Sequence, residues 1–359
     1  MIVRWLLAPV AVILLVSVAL AVPRFFVERY DGPVSAHFDG KRFHNVPRSH
    51  DVDKSLFQVM RWLTTREPGP WTQRKDVFFY TPPARVSENL RVTFVNHSTV
   101  LLQVDGLNIL TDPIWSERAS PVGFAGPRRF REPGIRFDNL PPIDVVLISH
   151  NHYDHLDMQT IRRLAQEHDP LFVVPLGNHR YLAENGIDRV SEVDWWDELA
   201  VDGAVIHAVP AQHWSRRTAY DTNLALWAGY VVETSVGPVY FAGDTGMGPH
   251  FEAIRSRLGE PRLALLPIGA YLPRWFMSTQ HIDPTEAVSA HALLGARQSM
   301  AIHFGTFMLG DDGQNQPATE LGLALRAVDV PRNAFWIPGH GESRLFTAQD
   351  ERLTRLVTR

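Results

Sequence analysis

The chain has 359 residues, of which 45% are hydrophobic and 21% charged, a composition that is typical of globular proteins and excludes wholesale disorder. Its 35 Lys and Arg residues are outnumbered by 39 Asp and Glu residues, and the net charge of -4 gives no basic excess for nucleic-acid binding. Cysteine is absent, which excludes disulfides, a thiolate nucleophile, a cysteine-ligated zinc site and an iron–sulfur cluster.

Residues 1–23 form a separate, almost wholly apolar segment. No charged residue occurs between Trp5 and Pro23. The small residues Ala19 and Ala21 fit the cleavage site of a signal peptide, whereas about 20 apolar residues also suffice for an uncleaved membrane anchor. Both interpretations bring the protein to a membrane. We expect an anchor at a bacterial inner membrane with the rest of the chain facing the periplasm, or an exported protein.

Residues 24–90 lack a regular hydrophobic period. Prolines punctuate this stretch, as at 67–70 and 81–83. Such punctuation is typical of turns and connecting segments. We predict an irregular segment that wraps around the main domain, which then comprises residues 91–359.

Several strand-like runs rich in β-branched residues follow. A run over 91–104 is followed by the turn Asp105-Gly106 and a second run over 107–112, which is typical of a β-hairpin. Further strands are predicted at 145–149, 171–175, 204–210, 224–233, 239–243, 263–268, 299–304 and 334–338.

Two helical patterns lie between these runs. One covers 158–168 after the capping residue Asp157, and the other covers 284–295, with Pro284 near its start and Gly295 at its end. Strands and helices therefore interleave, while hairpins also occur. This arrangement predicts a mixed α/β architecture with sheet layers between helices.

The strongest chemical signal is a histidine-rich cluster directly after the predicted strand 145–149. Within six residues it contains His150, His152, Asp154 and His155. Alternate residues of extended backbone point to the same side, so His150 and His152 share one side and the other two can face a second position. Imidazole and carboxylate are typical zinc ligands, which makes this cluster a candidate metal site.

The cluster is incomplete, because one zinc ion needs three or four protein ligands. Three further candidates occur at or after later predicted strands, namely His213, Asp244 and His303. Alone, each histidine is more often a packed residue, and Asp244 is equally well an ordinary turn residue. As a set that follows the cluster, they favour a site for two metal ions.

This ligand pattern resembles that of metallo-β-lactamase-fold proteins. Longer runs resemble N-acylphosphatidylethanolamine-hydrolysing phospholipase D, most selectively PAQHWSRR at 210–217 and PIGAYLPRWFM at 267–277. The similar runs cover most of residues 91–345. The resemblance implies a four-layer αββα sandwich that binds two zinc ions per chain. The implied ligands of the first ion are His150, His152 and His213; those of the second are Asp154, His155 and His303, with Asp244 bridging both.

Two more residues are predicted to act beside Asp244 in catalysis. The Asp112 carboxylate can accept the free N–H of a ligand histidine, or it can cap a turn before proline. The histidine that matches His281 contacts the substrate in the resembled enzyme. His281 can donate to phosphate or protonate the leaving oxygen, or it is a solvent-exposed loop residue.

The predicted substrate contacts surround the same positions. Gln280 precedes His281, and Tyr153 lies between two ligands, where it lines the cleft or points into the core. Trp275 belongs to an aromatic stretch that can cover acyl chains or pack in the core.

The resemblance implies a membrane-associated phosphodiesterase of the phospholipase D type. It hydrolyses N-acylphosphatidylethanolamine to N-acylethanolamine and phosphatidic acid, with a phospholipid and a membrane surface as partners. One alternative is a hydrolase of the same fold that acts on another ester, lactone or phosphodiester. A second is a zinc-binding envelope protein without turnover, although a structural zinc site needs no bridging acid.

Overall fold

The computed structural model describes residues 29–347 except 53, 75–77, 329 and 332. The predicted signal or anchor segment, residues 1–23, lies outside the described residues. Among the helices that are described, none combines the length and the apolar character needed to cross a bilayer.

Two seven-stranded sheets form the centre of the described structure. The first has the order β14-β1-β2-β3-β4-β5-β6 and the second the order β13-β12-β11-β10-β9-β8-β7. The strands of the first sheet are β1 (Leu90–Asn96), β2 (Thr99–Val104), β3 (Leu107–Thr111), β4 (Val145–Leu147), β5 (Leu171–Pro175), β6 (Val190–Val193) and β14 (Ser343–Phe346). Those of the second are β7 (Glu198–Val201), β8 (Ala204–Val209), β9 (Gly229–Glu233), β10 (Val239–Phe241), β11 (Leu263–Pro267), β12 (Ser299–Ile302) and β13 (Phe335–Trp336).

Each sheet has an antiparallel half and a parallel half. In the first sheet β14, β1, β2 and β3 are antiparallel neighbours, and β3 to β6 run parallel. In the second sheet β7 to β10 are antiparallel, and β10 to β13 run parallel. The predicted ligands follow the carboxyl ends of β4, β8, β10 and β12, where connecting loops can bring side chains from different strands together.

Helices cover the outer faces of both sheets. The seven described helices are α1 (Leu56–Thr64), α2 (Met158–His168), α3 (His179–Ala183), α4 (His250–Leu258), α5 (Arg274–Met277), α6 (Pro284–Leu294) and α7 (Gln316–Ala327). Val146 and Ile148, at β4 and just after it, pack in one cluster with Ile161 of α2. Val145 and Leu147 belong to the cluster that joins the two sheets.

The same large cluster also contains residues of the helices on the far side of the second sheet. Phe251 of α4, Ala287 of α6 and Leu321 of α7 are fully buried in it. The layers are therefore helix, sheet, sheet and helix, which confirms the predicted αββα sandwich.

Both predicted helices are present, and their ends have the expected caps. The Asp157 side chain accepts a hydrogen bond from the Gln159 N–H at the start of α2. At the start of α6, Asp283 and Glu286 bond reciprocally, and Gly295 ends the helix in the left-handed conformation. These local interactions satisfy backbone groups that have no partner within the helix.

Other expectations differ from the structure. The run 91–104 is not one strand, because it turns at His97, whose φ is +47°. No glycine, proline or Asn-Gly pair marks this turn, so the β-branched composition of its flanks favoured a continuous strand. The predicted strand 224–233 begins only at Gly229. The segment 24–90, predicted to be irregular, contains helix α1, whose N-terminus is capped by Ser55.

Candidate metal centre

Three of the predicted ligands form one compact group. His150 and His152 leave the end of β4, and His213 follows β8 of the other sheet. His150 Nε2 lies 2.8 Å from His152 Nδ1, and His213 Nε2 lies 3.3 Å from the same His152 atom. The three ring nitrogens are close enough to bind one metal ion together.

A second group lies beside the first. Asp154 Oδ2 is 3.2 Å from His155 Nε2 and 3.4 Å from His303 Nε2. Asp244 Oδ2 lies 3.2 Å from both of these ring nitrogens and 3.8 Å from His213 Nε2 of the first group. The structure therefore brings all seven predicted ligands together, with Asp244 between the two groups.

The donor atoms of both groups fit a cation. Among the described residues, the buried Nε2 atoms of His155 and His303 and the buried Oδ1 of Asp244 make no hydrogen bond. Buried polar atoms without a partner are costly, and several ring nitrogens that face one another need an electrophile between them. A set made of imidazole and carboxylate suits zinc or another divalent metal.

Burial sets the charge of the first group. It lowers the pKa of His150 and His152 well below the usual range, and that of His213 to about 4. These rings are therefore neutral at pH 7, and each keeps a lone pair for a metal.

The carboxylates dominate the second group. Burial alone would raise the pKa of Asp244, but His155 and His303 outweigh it and hold the pKa well below the usual range. Burial opposes the proton on His303, yet Asp244 and Asp154 raise its pKa to about 9. Metal binding at this group therefore displaces protons, as is general for metal sites.

Asp112 orients one of the ligands. Its fully buried carboxylate accepts hydrogen bonds from His155 Nδ1 at 2.6 Å, from the Ser149 N–H at 2.7 Å and from the Ser149 hydroxyl at 2.6 Å. Because Nδ1 is held in this way, His155 presents Nε2 to the centre. The alternative role of Asp112, a turn cap, does not describe these contacts.

Asn45, from the segment 24–90, and the loop before α6 hold another ligand, His213. His213 Nδ1 donates to the Gln280 carbonyl at 3.0 Å, so its Nε2 faces the centre. The Asn45 side chain donates to the His213 carbonyl and accepts from the His213 N–H. Asn45 therefore fixes the backbone of His213 from outside the predicted main domain.

His281 lies at the edge of the centre and is buried. Its Nδ1 is 3.8 Å from Asp244 Oδ2 and has no hydrogen-bond partner among the described residues. Burial lowers its pKa to about 3, so the ring is neutral at pH 7. A solvent-exposed loop position is therefore wrong for this histidine.

A cavity of about 790 Å³ opens over the centre. His152, Asp154, Asp244, His281 and His303 contribute to its lining. The rest of the lining includes apolar side chains and four cations: Val52, Val59, Trp62, Phe276, Met277 and Leu309, with Arg42, Lys54, Arg216 and Arg217.

Only some of the predicted substrate contacts line this cavity. Tyr153 and Gln280 line it, and the Tyr153 hydroxyl donates to the Arg217 carbonyl at 2.7 Å. Trp275 is not among its lining residues; it is 39% exposed, with the Arg61 guanidinium over its ring. Trp62 takes the place expected for Trp275, and its ring stacks on Phe276 at 4.9 Å between centroids.

Sequence reasoning missed several residues of the site. Val52, Lys54 and Trp62 lie in the segment predicted to be a wrapping element, far from any motif. His97 falls inside a predicted strand, yet its Nε2 lies 3.0 Å from Asp154 Oδ2. The only sequence signal that could have suggested His97 is that it follows another polar residue, Asn96, within a run rich in β-branched residues.

Comparison with known proteins agrees with this fold. Residues 107–304 match the family model described as the beta-lactamase superfamily domain. The chain belongs to this superfamily. It also belongs to a family of metal-dependent hydrolases, because it is 31% identical over 247 residues to the UPF0173 metal-dependent hydrolase of Methanopyrus kandleri, 67% of this chain and 96% of that protein.

Several curated relatives carry a more specific name. N-acyl-phosphatidylethanolamine-hydrolyzing phospholipase D 1 of Caenorhabditis elegans is 40% identical over 232 residues, which cover 62% of this chain and 65% of that protein. The mitochondrial N-acyl-phosphatidylethanolamine-hydrolyzing phospholipase D of Saccharomyces cerevisiae is 36% identical over 238 residues, 64% of this chain and 51% of that protein. The chain thus spans less than two thirds of the length of either relative.

Among solved structures, an isothiocyanate hydrolase from Delia radicum gut bacteria superposes with a TM-score of 0.59. The two sequences are 21% identical, and the match covers 72% of this chain and 99% of that one. This likeness supports the fold.

Gly243 gives a test of how the strand ends hold the centre. Its φ is +59°, and a Cβ there would lie 2.4 Å from the Ser149 Cβ. We expect Gly243→Ala to displace Ser149, and with it the hydrogen bonds to Asp112, and so to lower both stability and metal content. The left-handed backbone alone costs about 1–2 kcal/mol.

Gly106→Ala is the matched control, because Gly106 has a φ of +81° and a Cβ there would have no atom within 4 Å. Denaturant unfolding should show a loss of stability in both variants, with the larger loss in Gly243→Ala. Metal analysis should show a loss in Gly243→Ala only. Equal metal content in both variants would contradict this account.

Proposed function

We propose that this chain is a phosphodiesterase of the phospholipase D type that hydrolyses N-acylphosphatidylethanolamine with the help of two zinc ions. The observation that carries the proposal is the cavity over the two ligand groups, which combines an apolar wall with four cationic side chains. An anionic phospholipid needs both features. The relatives of that name, at 36–40% identity, support the same substrate.

In this proposal the two ligand groups hold one ion each. His150, His152 and His213 would hold the first ion and Asp154, His155 and His303 the second, with Asp244 as a ligand shared by the two groups. When bound, such a pair supplies an activated water and neutralises charge on the phosphoryl oxygens.

The protein's own residues orient the ligands and the substrate. Asp112 and the Gln280 carbonyl fix the tautomers of His155 and His213. Arg42, Lys54 and Arg216 attract the phosphodiester anion into the cavity. Water adds to phosphorus, the bond from phosphorus to the ethanolamine oxygen breaks, and that oxygen takes up a proton.

His281 is the candidate partner of the leaving oxygen. Its Nδ1 has no other partner among the described residues, and its ring faces the cavity beside Asp244. A neutral imidazole at this position donates a hydrogen bond to the leaving group without adding a buried charge. The role of His281 therefore depends on the position of the phosphate, which the two metal ions and the cationic side chains of the cavity would fix.

Two features disfavour the alternatives. Four cationic side chains in the cavity lining complement the negative charge of a phosphodiester, whereas a neutral lactone carries no charge for them to bind. An accessible cavity over the ligands and an acid shared by both groups are not needed in a structural zinc site.

The proposed reaction can be assayed directly. The purified protein should release N-acylethanolamine from N-acylphosphatidylethanolamine, and Asp244→Asn should lower the rate by on the order of 100-fold or more, because both ions lose a shared ligand. Chromatography with mass spectrometry measures the product.

Asp169→Asn serves as the control. Asp169 is an exposed carboxylate in the left-handed conformation at the end of α2, where asparagine is well tolerated, and this variant should match the wild type. Activity confined to a lactone or a nucleotide ester would move the assignment to another hydrolase of this fold. Full activity of Asp244→Asn would reject the proposed centre.

Helix α1 is proposed to contact the membrane that carries the substrate. Leu56 and Phe57 are each 77% exposed, and Met60 and Leu63 are at least half exposed. Val59 of the same helix lines the cavity. An apolar helix face in water next to the cavity is typical of a segment that inserts into the lipid interface.

The corresponding variant is Leu56→Ser combined with Phe57→Ser. It should bind phospholipid vesicles more weakly and hydrolyse substrate in vesicles more slowly, while hydrolysis of a soluble short-chain analogue stays unchanged. Vesicle sedimentation and both assays measure these effects. Leu323→Ser removes an exposed leucine from α7 instead and should change neither property. Equal vesicle binding by all three proteins would refute the role of α1.

A further inference from the structure

We propose that His97 is a positioning residue that fixes one of the two metal positions, the one formed by Asp154, His155 and His303, and leaves the other unaffected. The inference rests on the ligand set of the proposed function, and it is independent of which ester the protein hydrolyses.

The side chain of His97 holds a ligand carboxylate. Its imidazole is 1% exposed, and its Nε2 lies 3.0 Å from Asp154 Oδ2. Because an ionised carboxylate only accepts hydrogen bonds, His97 Nε2 carries a proton and donates the hydrogen bond to Asp154. The hydrogen bond restricts the rotation of Asp154, which projects from a loop between His152 and His155.

The backbone of His97 holds a second ligand. The His97 carbonyl accepts a hydrogen bond from the His303 N–H at 2.8 Å, and the His97 N–H donates to Thr306 Oγ1 at 3.1 Å. Both histidines have left-handed backbones, with φ of +47° for His97 and +59° for His303. Such conformations are strained for residues other than glycine, and they persist only where surrounding contacts enforce them.

His97 therefore connects ligands from the two sheets. It lies at the turn between β1 and β2 of the first sheet, Asp154 follows β4 of that sheet, and His303 directly follows β12 of the second. Its side chain and its backbone act on different ligands of the same metal position. A single residue thus sets the distance between a carboxylate and an imidazole that must bind one ion.

The other metal position has separate supports. The Ser149 hydroxyl lies 2.9 Å from His150 Nδ1, and Asn45 and the Gln280 carbonyl hold His213. None of the hydrogen bonds described for His97 reaches His150, His152 or His213. Loss of the His97 side chain should therefore affect the two positions unequally.

The test is a titration of the metal-free protein with Zn²⁺ against a chromophoric chelator, without substrate. The wild type should bind two ions. In His97→Leu, which keeps much of the buried volume but has no donor, we expect one ion to bind as in the wild type and the other about 10–100-fold more weakly. His97→Gln, whose amide can donate to Asp154, should recover most of the lost affinity.

His37→Leu is the matched control. His37 is also buried, and its Nε2 pairs with a carboxylate, Asp194 Oδ1, at 2.6 Å, outside the metal centre. This variant should bind both ions with wild-type affinity. A binding curve for His97→Leu identical to that of the wild type would overturn the inference.

Three other results would also overturn it. Equal weakening of both ions in His97→Leu would remove the selectivity, and equal weakening in His37→Leu would show a general loss of structure. Failure of His97→Gln to recover any affinity would show that the hydrogen bond donated to Asp154 is not what fixes this metal position. A wild type that binds two ions but does not hydrolyse N-acylphosphatidylethanolamine would reject the substrate and leave this inference intact.

Discussion

The structure depends on one constraint: the polar side chains of the seven predicted ligands repel one another and lose hydration where they meet. Five imidazole rings and two carboxylates crowd together, five of these seven side chains are buried, and several of their atoms find no hydrogen-bond partner among the described residues. Such an arrangement is unfavourable for a protein alone and favourable once cations occupy it. The free energy of metal binding is therefore also a contribution to the stability of the folded chain.

The rest of the fold serves to keep these side chains in place. Short strands of both sheets deliver ligands at their carboxyl ends, and the two sheets contribute from opposite sides. Hydrogen bonds to the Asp112 carboxylate and to the Gln280 carbonyl then fix which ring nitrogen of His155 and His213 faces the centre, and Asn45 holds the His213 backbone. The αββα sandwich supplies rigidity, while the surrounding loops and helix α1 supply the cavity above the ligands.

Much of this centre could be predicted from the sequence because its signal is local. His150 to His155 lie within one turn after a strand, and His213, Asp244 and His303 each lie at a strand end. Similarity to a known ligand pattern then gave the grouping. The caps of α2 and α6 were equally predictable, since Asp157, Pro284 and Gly295 act through neighbouring backbone groups.

What sequence reasoning missed depends on contacts between distant segments. Trp62 of α1 lines the cavity beside Phe276 of α5, on which its ring stacks, and no local pattern encodes a contact between segments so far apart along the chain. Trp275 was predicted from an aromatic run, but its ring lies outside while its neighbour Phe276 lines the cavity. The turn at His97 has a left-handed backbone without glycine, so no local sequence pattern marks it. Tertiary hydrogen bonds to His303 and Thr306 enforce this conformation instead.

The most direct measurement is a crystal structure of the protein grown with zinc, with diffraction recorded on both sides of the zinc absorption edge. The account predicts two anomalous peaks about 3.5–4 Å apart, one within each ligand group and both adjacent to Asp244. A single peak, or peaks that do not involve Asp244, would contradict the two-ion centre on which the proposed chemistry rests.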